Sequence, residues 1–172
     1  YDGKKFRNIQ DGDLELNSEE EKAAVSEKKE QYKELSDYIK EKLGDKASAV
    51  RFTDKLVTSA VCLSADGDIS LEMEKTFKAM RASSPMPVEA KKVLEININH
   101  PIAEKLKTYY DSDKETLDKY IKVLYGEARM LAGFDIEDAT EFTSVVNSLS
   151  VRCAELCGQL PRTLFARAEQ FQ

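Results

Sequence analysis

The residue types capable of reactive chemistry are few, one His and three Cys in 172 residues. His100 stands directly before Pro101, and no Cys, Ser or Asp lies at a spacing that would make it a catalytic base. A satisfied structural histidine is the expected role. Cys62 falls inside the apolar run Val61 to Leu63, where a thiol is usually inert. Cys153 and Cys157 are one helical turn apart, a spacing that could present two thiolates to one metal, but no second Cys or His pair completes a ligand set. Both are expected to be free thiols. There is no glycine-rich loop of the kind that cradles a phosphate. The expectation is a chain with no catalytic residue, no metal and no cofactor of its own.

Composition narrows the partners. Lys and Arg number 26 against 32 Asp and Glu, giving a net charge of -6, and no basic stripe with interleaved aromatics is present. Nucleic acid is therefore not expected as a partner. No apolar run approaches the roughly 20 residues of a membrane helix, and the first residues carry no signal-peptide pattern, so no membrane association and a cytoplasmic setting are expected. An odd cysteine count gives no disulfide framework and fits a reducing compartment. The chain opens at Tyr1 rather than Met and reads as a piece of something longer.

The elements that would carry any function follow from periodicity. Residues 1–16, with turn signals at Asp2-Gly3 and Asp11-Gly12, look like the end of a preceding domain or a linker. Ser18 and Glu21 form a capping box that opens a helix running to Leu43 and stopped by Gly44. Its first half is nearly all polar; its apolar positions are Tyr32, Leu35, Ile39 and Leu43. Ala49 to Thr53 and Ser59 to Ser64 read as strands joined by Asp54 to Thr58, and Lys92 to Ile98 as a third. Between them a helix from about Asp68 to Arg81 is stopped by Ser83-Ser84-Pro85-Met86-Pro87. Three helices finish the order, about Pro101 to Tyr110, Asp113 to Ala132 and Asp138 to Cys157. The fold class is α+β, a small three-stranded sheet with packed helices, in a domain spanning 17–157.

Two apolar stripes stand out. Leu117, Tyr120, Ile121, Leu124, Ala128 and Leu131 repeat every three or four residues, as do Phe142, Val145, Val146, Leu149, Cys153 and Leu156. The short connection Gly133 to Glu137 would fold the two helices back as a pair. Tyr125, Met130 and Val151 lie off the stripes and widen the apolar surface. Pattern alone leaves two possibilities open, a two-fold four-helix bundle between two copies and ordinary packing within one. The Asp68 to Arg81 helix carries Ile69, Met73, Phe77 and Met80 on one face. Such a Met/Phe face either adapts to varied apolar partners or simply covers the sheet.

The sequence also carries recognisable segments. Tyr-Asp-Gly-Lys at positions 1 to 4, Ile39-Lys-Glu-Lys-Leu-Gly-Asp-Lys46, Thr53-Asp-Lys-Leu-Val-Thr-Ser-Ala-Val-Cys-Leu-Ser64 and Leu94-Glu-Ile-Asn-Ile-Asn-His-Pro101 occur in this order. Together they make the chain from Tyr1 to about Leu156 resemble the bacterial ninety-kilodalton heat-shock chaperones, the high-temperature protein G (HtpG) family, at their C-terminal dimerisation domain. Thr53, Lys55, Ala60 and Ile98 depart from the family's usual Ser, Arg, Pro and Pro. The acidic pentapeptide of eukaryotic cytosolic members is absent. Residues 158–172 are an unmatched tail.

The resemblance implies a homodimer whose bundle uses Leu117, Tyr120, Ile121, Leu124, Ala128, Leu131, Phe142, Val145, Val146, Leu149 and Cys153. It implies that Ile69, Met73, Phe77 and Met80 touch unfolded or partly folded client proteins, with Thr76 standing where Leu is common. It further implies an ATP-dependent chaperone in which ATP and magnesium belong to an N-terminal domain outside this fragment, which is itself non-catalytic. A plain oligomerisation scaffold without client binding is the alternative, and the burial of the Met-bearing face separates the two.

Overall fold

A computed structural model describes residues 30–80 and 89–158, which fall into two units, one ending at Ile136 and the other beginning at Glu137. The expected capping box at Ser18, the proline turn at 83–87, the segment 1–16 and the tail after Gly158 lie outside the described residues.

The first unit opens with α1 (Lys33–Leu43). Tyr32, Leu35, Ile39 and Leu43 recur every three or four residues and all are buried, so one face of the helix is fully used. Gly44 ends it at a φ of 55°, a conformation most side chains avoid. The Lys40 ammonium then closes the end by donating to the carbonyls of Gly44, at 2.8 Å, and Ala47. A short 3₁₀ turn, Gly44–Lys46, leads into the sheet.

The sheet comprises β1 (Ala49–Thr53), β2 (Val61–Ala65) and β3 (Lys92–Asn97) in the order β1-β3-β2. Consecutive strands are therefore not neighbours: β3 inserts between them, parallel to β1 and antiparallel to β2. The residues explain the placement. Val93, Leu94, Glu95, Ile96 and Asn97 are all buried, which only a central strand covered on both sides sustains, whereas β1 and β2 keep partly exposed positions suited to edges. Register aligns Val50, Leu94 and Leu63 in one row and Phe52, Ile96 and Val61 in the next. These rows join Leu35 and Ile39 of α1 in one core cluster. The Asp54 to Thr58 connection is held by Asn97, whose Nδ2 donates to the carbonyls of Leu56 at 2.8 Å and Ser59 at 3.1 Å.

Four further helices follow, α2 (Leu71–Ala79) between β2 and β3, then α3 (Pro101–Ser112), α4 (Lys114–Leu131) and α5 (Ala139–Gly158). Each begins at a side-chain cap, which fixes its first turn. Ser70 Oγ accepts from the Met73 amide, His100 Nδ1 from Ile102, Asp113 Oδ1 from Thr116 and Asp138 Oδ1 from Glu141. Because Ser70 is the cap, α2 is shorter than the expected Asp68 to Arg81. Leu106 of α3 and Leu117, Ile121, Leu124 and Ala128 of α4 complete the same core. The second unit contains α5 as its one described helix.

Candidate functional site

The most informative surface lies on α2. Met73, Phe77 and Met80 are 44%, 38% and 57% exposed, although all three are large and apolar. Spacings of four and three put them on one side of the helical turn, and that side faces water. Ile69 does not share the helix: it precedes the Ser70 cap and is half-buried. The helix turns Glu74 inward instead, fully buried, with Lys75 and Lys78 half-buried beside it. Leu71 is its one contribution to the apolar core cluster.

A buried carboxylate must be paired to be tolerated. Glu74 accepts from Lys78 Nζ at 2.5 Å, from Lys92 Nζ at 2.9 Å and from the Ala90 amide at 3.0 Å. Burial pushes its carboxyl up, while the hydrogen bonds from Lys78, Lys92 and Ala90 and the Lys92 charge pull it down, leaving it below the ordinary carboxylate value. At the next residue, Lys75 Nζ donates to Glu72 at 2.5 Å and to the carbonyl of Ala132, just past the end of α4, at 3.0 Å. Phe134 completes the arrangement. Its buried ring has the ammonium groups of Lys75, Lys78 and Lys92 at 5.7, 5.4 and 5.4 Å from its centroid. The helix is thus docked by its charged side, and its apolar side is left out.

The expected dimer residues divide. On α4, Leu117, Ile121, Leu124 and Ala128 are at most 5% exposed and sit in the core shared with the sheet and α1. Burial within the protomer leaves them no surface for a second copy, so the stripe on this helix is a core stripe. Tyr120 is half-buried against the same core and stacks on Tyr109 at 5.3 Å. Tyr125, expected to widen the free surface, is buried with its hydroxyl donating to the Lys46 carbonyl at 2.8 Å. The large apolar residues that α4 leaves exposed are Met130 and Leu131, 47% and 60% accessible. On α5, Phe142, Val145, Val146 and Leu149 are half-buried, and Val151 and Cys153 are exposed.

His100 and Cys62 occupy structural positions. His100 caps α3 through its ring nitrogen. The Cys62 thiol donates to Glu95 at 3.8 Å, and burial, together with the Glu95 charge, pushes it up to about 11. Glu95 also accepts from Ser64 Oγ at 2.8 Å. Cys153 is a free thiol. Among the described residues no three His, Cys, Asp or Glu side chains gather as a metal site would require, and no helix is long and apolar enough to cross a membrane.

Sequence reasoning found the Met/Phe face but not what holds it. The Glu74 to Lys78 spacing was visible as an i,i+4 pair. Nothing in the local pattern pointed to Lys92 or Phe134, which arrive from distant segments.

Comparison with known proteins agrees with the segments quoted above. The family model described as Hsp90 protein matches residues 1–157. The chain is 38% identical over 151 residues to the chaperone protein HtpG of Bacillus subtilis, covering 88% of this chain and 24% of that protein. The HtpG proteins of Halalkalibacterium halodurans and Clostridium perfringens are 40% and 39% identical over 144 and 149 residues, covering 84% and 87% of this chain and 23% of each relative. The chain spans about a quarter of the length of the curated relatives it matches. It belongs to the Hsp90 protein family.

Proposed function

We propose that this chain is the C-terminal homodimerisation and client-contact module of an ATP-dependent molecular chaperone that acts in protein folding in the cytoplasm. The observation that carries the reading is the exposure of Met73, Phe77 and Met80 on α2. Leaving apolar area in water forgoes roughly 25 cal/mol per Å² of burial, so a contiguous apolar face on a charged protein marks a place where another molecule supplies that burial. Flexible, polarisable Met side chains suit partners of varied shape, as unfolded chains are. The face favours this function over a plain scaffold. The module itself performs no chemistry; ATP and magnesium act in the N-terminal part of the full-length protein.

Dimerisation rests on α5. Phe142, Val145, Val146 and Leu149 form a half-buried stripe along this helix, and Val151 is exposed. A second copy would cover these residues, and two tethered protomers hold their distant domains at high effective concentration. The joint replacement Met73→Ser with Phe77→Ser tests the client face. It should abolish most protection of a heat-unfolded test protein against aggregation, measured by light scattering. Sedimentation should still report a dimer. Since both side chains already face water, stability should fall by at most about 2 kcal/mol, short of the 3–5 kcal/mol that a core Phe truncation alone costs. Undiminished protection would overturn the client role, and a monomer for the parent chain would overturn the dimer.

A further inference from the structure

A helix of nine residues is too short to persist alone in water, and tertiary packing normally holds such a helix by its apolar face. In α2 that face is 38–57% exposed, Leu71 is the helix's one contribution to the apolar core cluster, and Glu74 and Lys75 hydrogen-bond it to other segments. Two attachments differ in where they lead. Glu74 ties α2 to Ala90 and Lys92 at the start of β3. Lys75 ties it to Ala132, and Phe134 seats its ring against Lys75, Lys78 and Lys92 together. Residues 132–136 are the segment through which the chain leaves α4 and runs on to α5. Its own geometry is braced: Gly133 turns at a φ of 75°, and Arg129 Nε and Nη2 donate to the Asp135 carbonyl at 3.0 and 2.7 Å.

We propose that Lys75 and Phe134 are positioning residues that fasten the exposed α2 face to the α4 exit segment, so that its orientation follows this segment. The claim that this face contacts clients rests on the function proposed above; the claim that it is latched does not. The contribution of each residue is specific. Lys75 supplies a charge-assisted hydrogen bond to a carbonyl left without a helical partner just beyond the end of α4. Phe134 presents a ring face to three ammonium groups, two of which also pair with Glu74, so the ring and the carboxylate share the same cations. A methyl group at Gly133 would stand 3.4 Å from Lys75 Nζ, so the ammonium group lies close over this turn.

The test uses the full chain and the variants Lys75→Met and Phe134→Leu, each conserving apolar bulk while removing the bond or the ring face. Glu72→Gln, which alters only an exposed partner of Lys75, is the control. Hydrogen exchange resolved by residue should show α2 amides opening about ten-fold faster or more in Lys75→Met, the loss expected for one charge-assisted hydrogen bond, and at least about two-fold faster in Phe134→Leu, the loss expected for cation–π contacts. Amides of α1 and β3 in the same samples should be unchanged, which separates local release from general destabilisation. Exchange that accelerates equally in α2 and β3, or in neither, overturns the latch. Affinity for reduced, carboxymethylated α-lactalbumin, a permanently unfolded probe, should fall several-fold in Lys75→Met. Unchanged affinity with a loosened α2 overturns the positioning role. If the Met73→Ser, Phe77→Ser protein binds the probe as the parent does, the client reading fails while the exchange result still decides the latch.

Discussion

Replacing Glu74 with Ala removes the one buried carboxylate of α2, and the size of the loss can be worked from its partners. The side chain is 0% exposed and accepts from two ammonium groups and one backbone amide. Lys78 is 36% exposed and can turn to water, so its release costs little. Lys92 is 11% exposed and would keep its charge without a counter-ion. The Ala90 amide, in a buried residue, would lose its acceptor, which alone costs about 1–3 kcal/mol. Breaking a buried pair from one side costs about 3–5 kcal/mol, and partial access to Lys92 places this case near 3. At about 4 °C per kcal/mol for a unit of this size, the melting temperature should drop by about 12 °C. Circular dichroism melts of the full chain measure it, with Glu72→Ala as reference. Glu72 is 69% exposed, and its loss should stay within about 0.5 kcal/mol. A Glu74→Ala protein melting within about 3 °C of the parent would refute the claim that charge docks this helix. A cycle with Lys92→Ala should give a coupling above about 1 kcal/mol.

The same carboxylate sets an acid response. Because its folded value lies below the ordinary 4.5, Glu74 stabilises the protein above that pH, and the contribution is lost as pH falls through the lower folded value; acid titrations should show Glu74→Gln losing less stability than the parent over that window. Leu124→Asp, placing a charge at a core position 5% exposed, should unfold the first unit, whereas Leu149→Asp on α5 should yield a folded monomer by sedimentation. Cys62, with its thiol pushed up to about 11, is roughly one part in a thousand thiolate at pH 8 and should resist iodoacetamide, while exposed Cys153 is alkylated first in a mass-spectrometric time course.

The helix periods and their stops were legible because they are local: Leu35, Ile39 and Leu43 before Gly44, and Pro101 after the His100 cap, are decided within a turn or two of chain. Strand order was not, since β1, β2 and β3 are all short and apolar, and only the absence of any exposed position in Val93 to Asn97 marks the middle one. The Leu117, Ile121, Leu124 and Ala128 stripe was seen correctly as apolar, but an apolar stripe does not say whether a sheet of its own chain or a second copy covers it. Here the sheet does. The Met73 and Phe77 face posed the same question with the opposite outcome, because the other side of α2 carries Glu74, whose partners beyond the helix, Lys92 of β3 and the Ala90 amide just before it, cannot be read from the helix.

The insertion of β3 between β1 and β2 bears on how this chain is born. Ser48, beside β1, bonds Lys92 at the start of β3, 44 residues later, and among the described strands β2 pairs with β3 alone. During synthesis at about 5–20 residues per second, β1 and β2 leave the ribosome and then wait a few seconds before the strand that joins them is made. In that interval two apolar ribbons with unbonded edges are open to other chains, the state in which aggregation competes with folding. A protein of a chaperone family thus passes through an early stage of the same kind of exposure, and any premature stop between Ala65 and Lys92 would leave it there permanently.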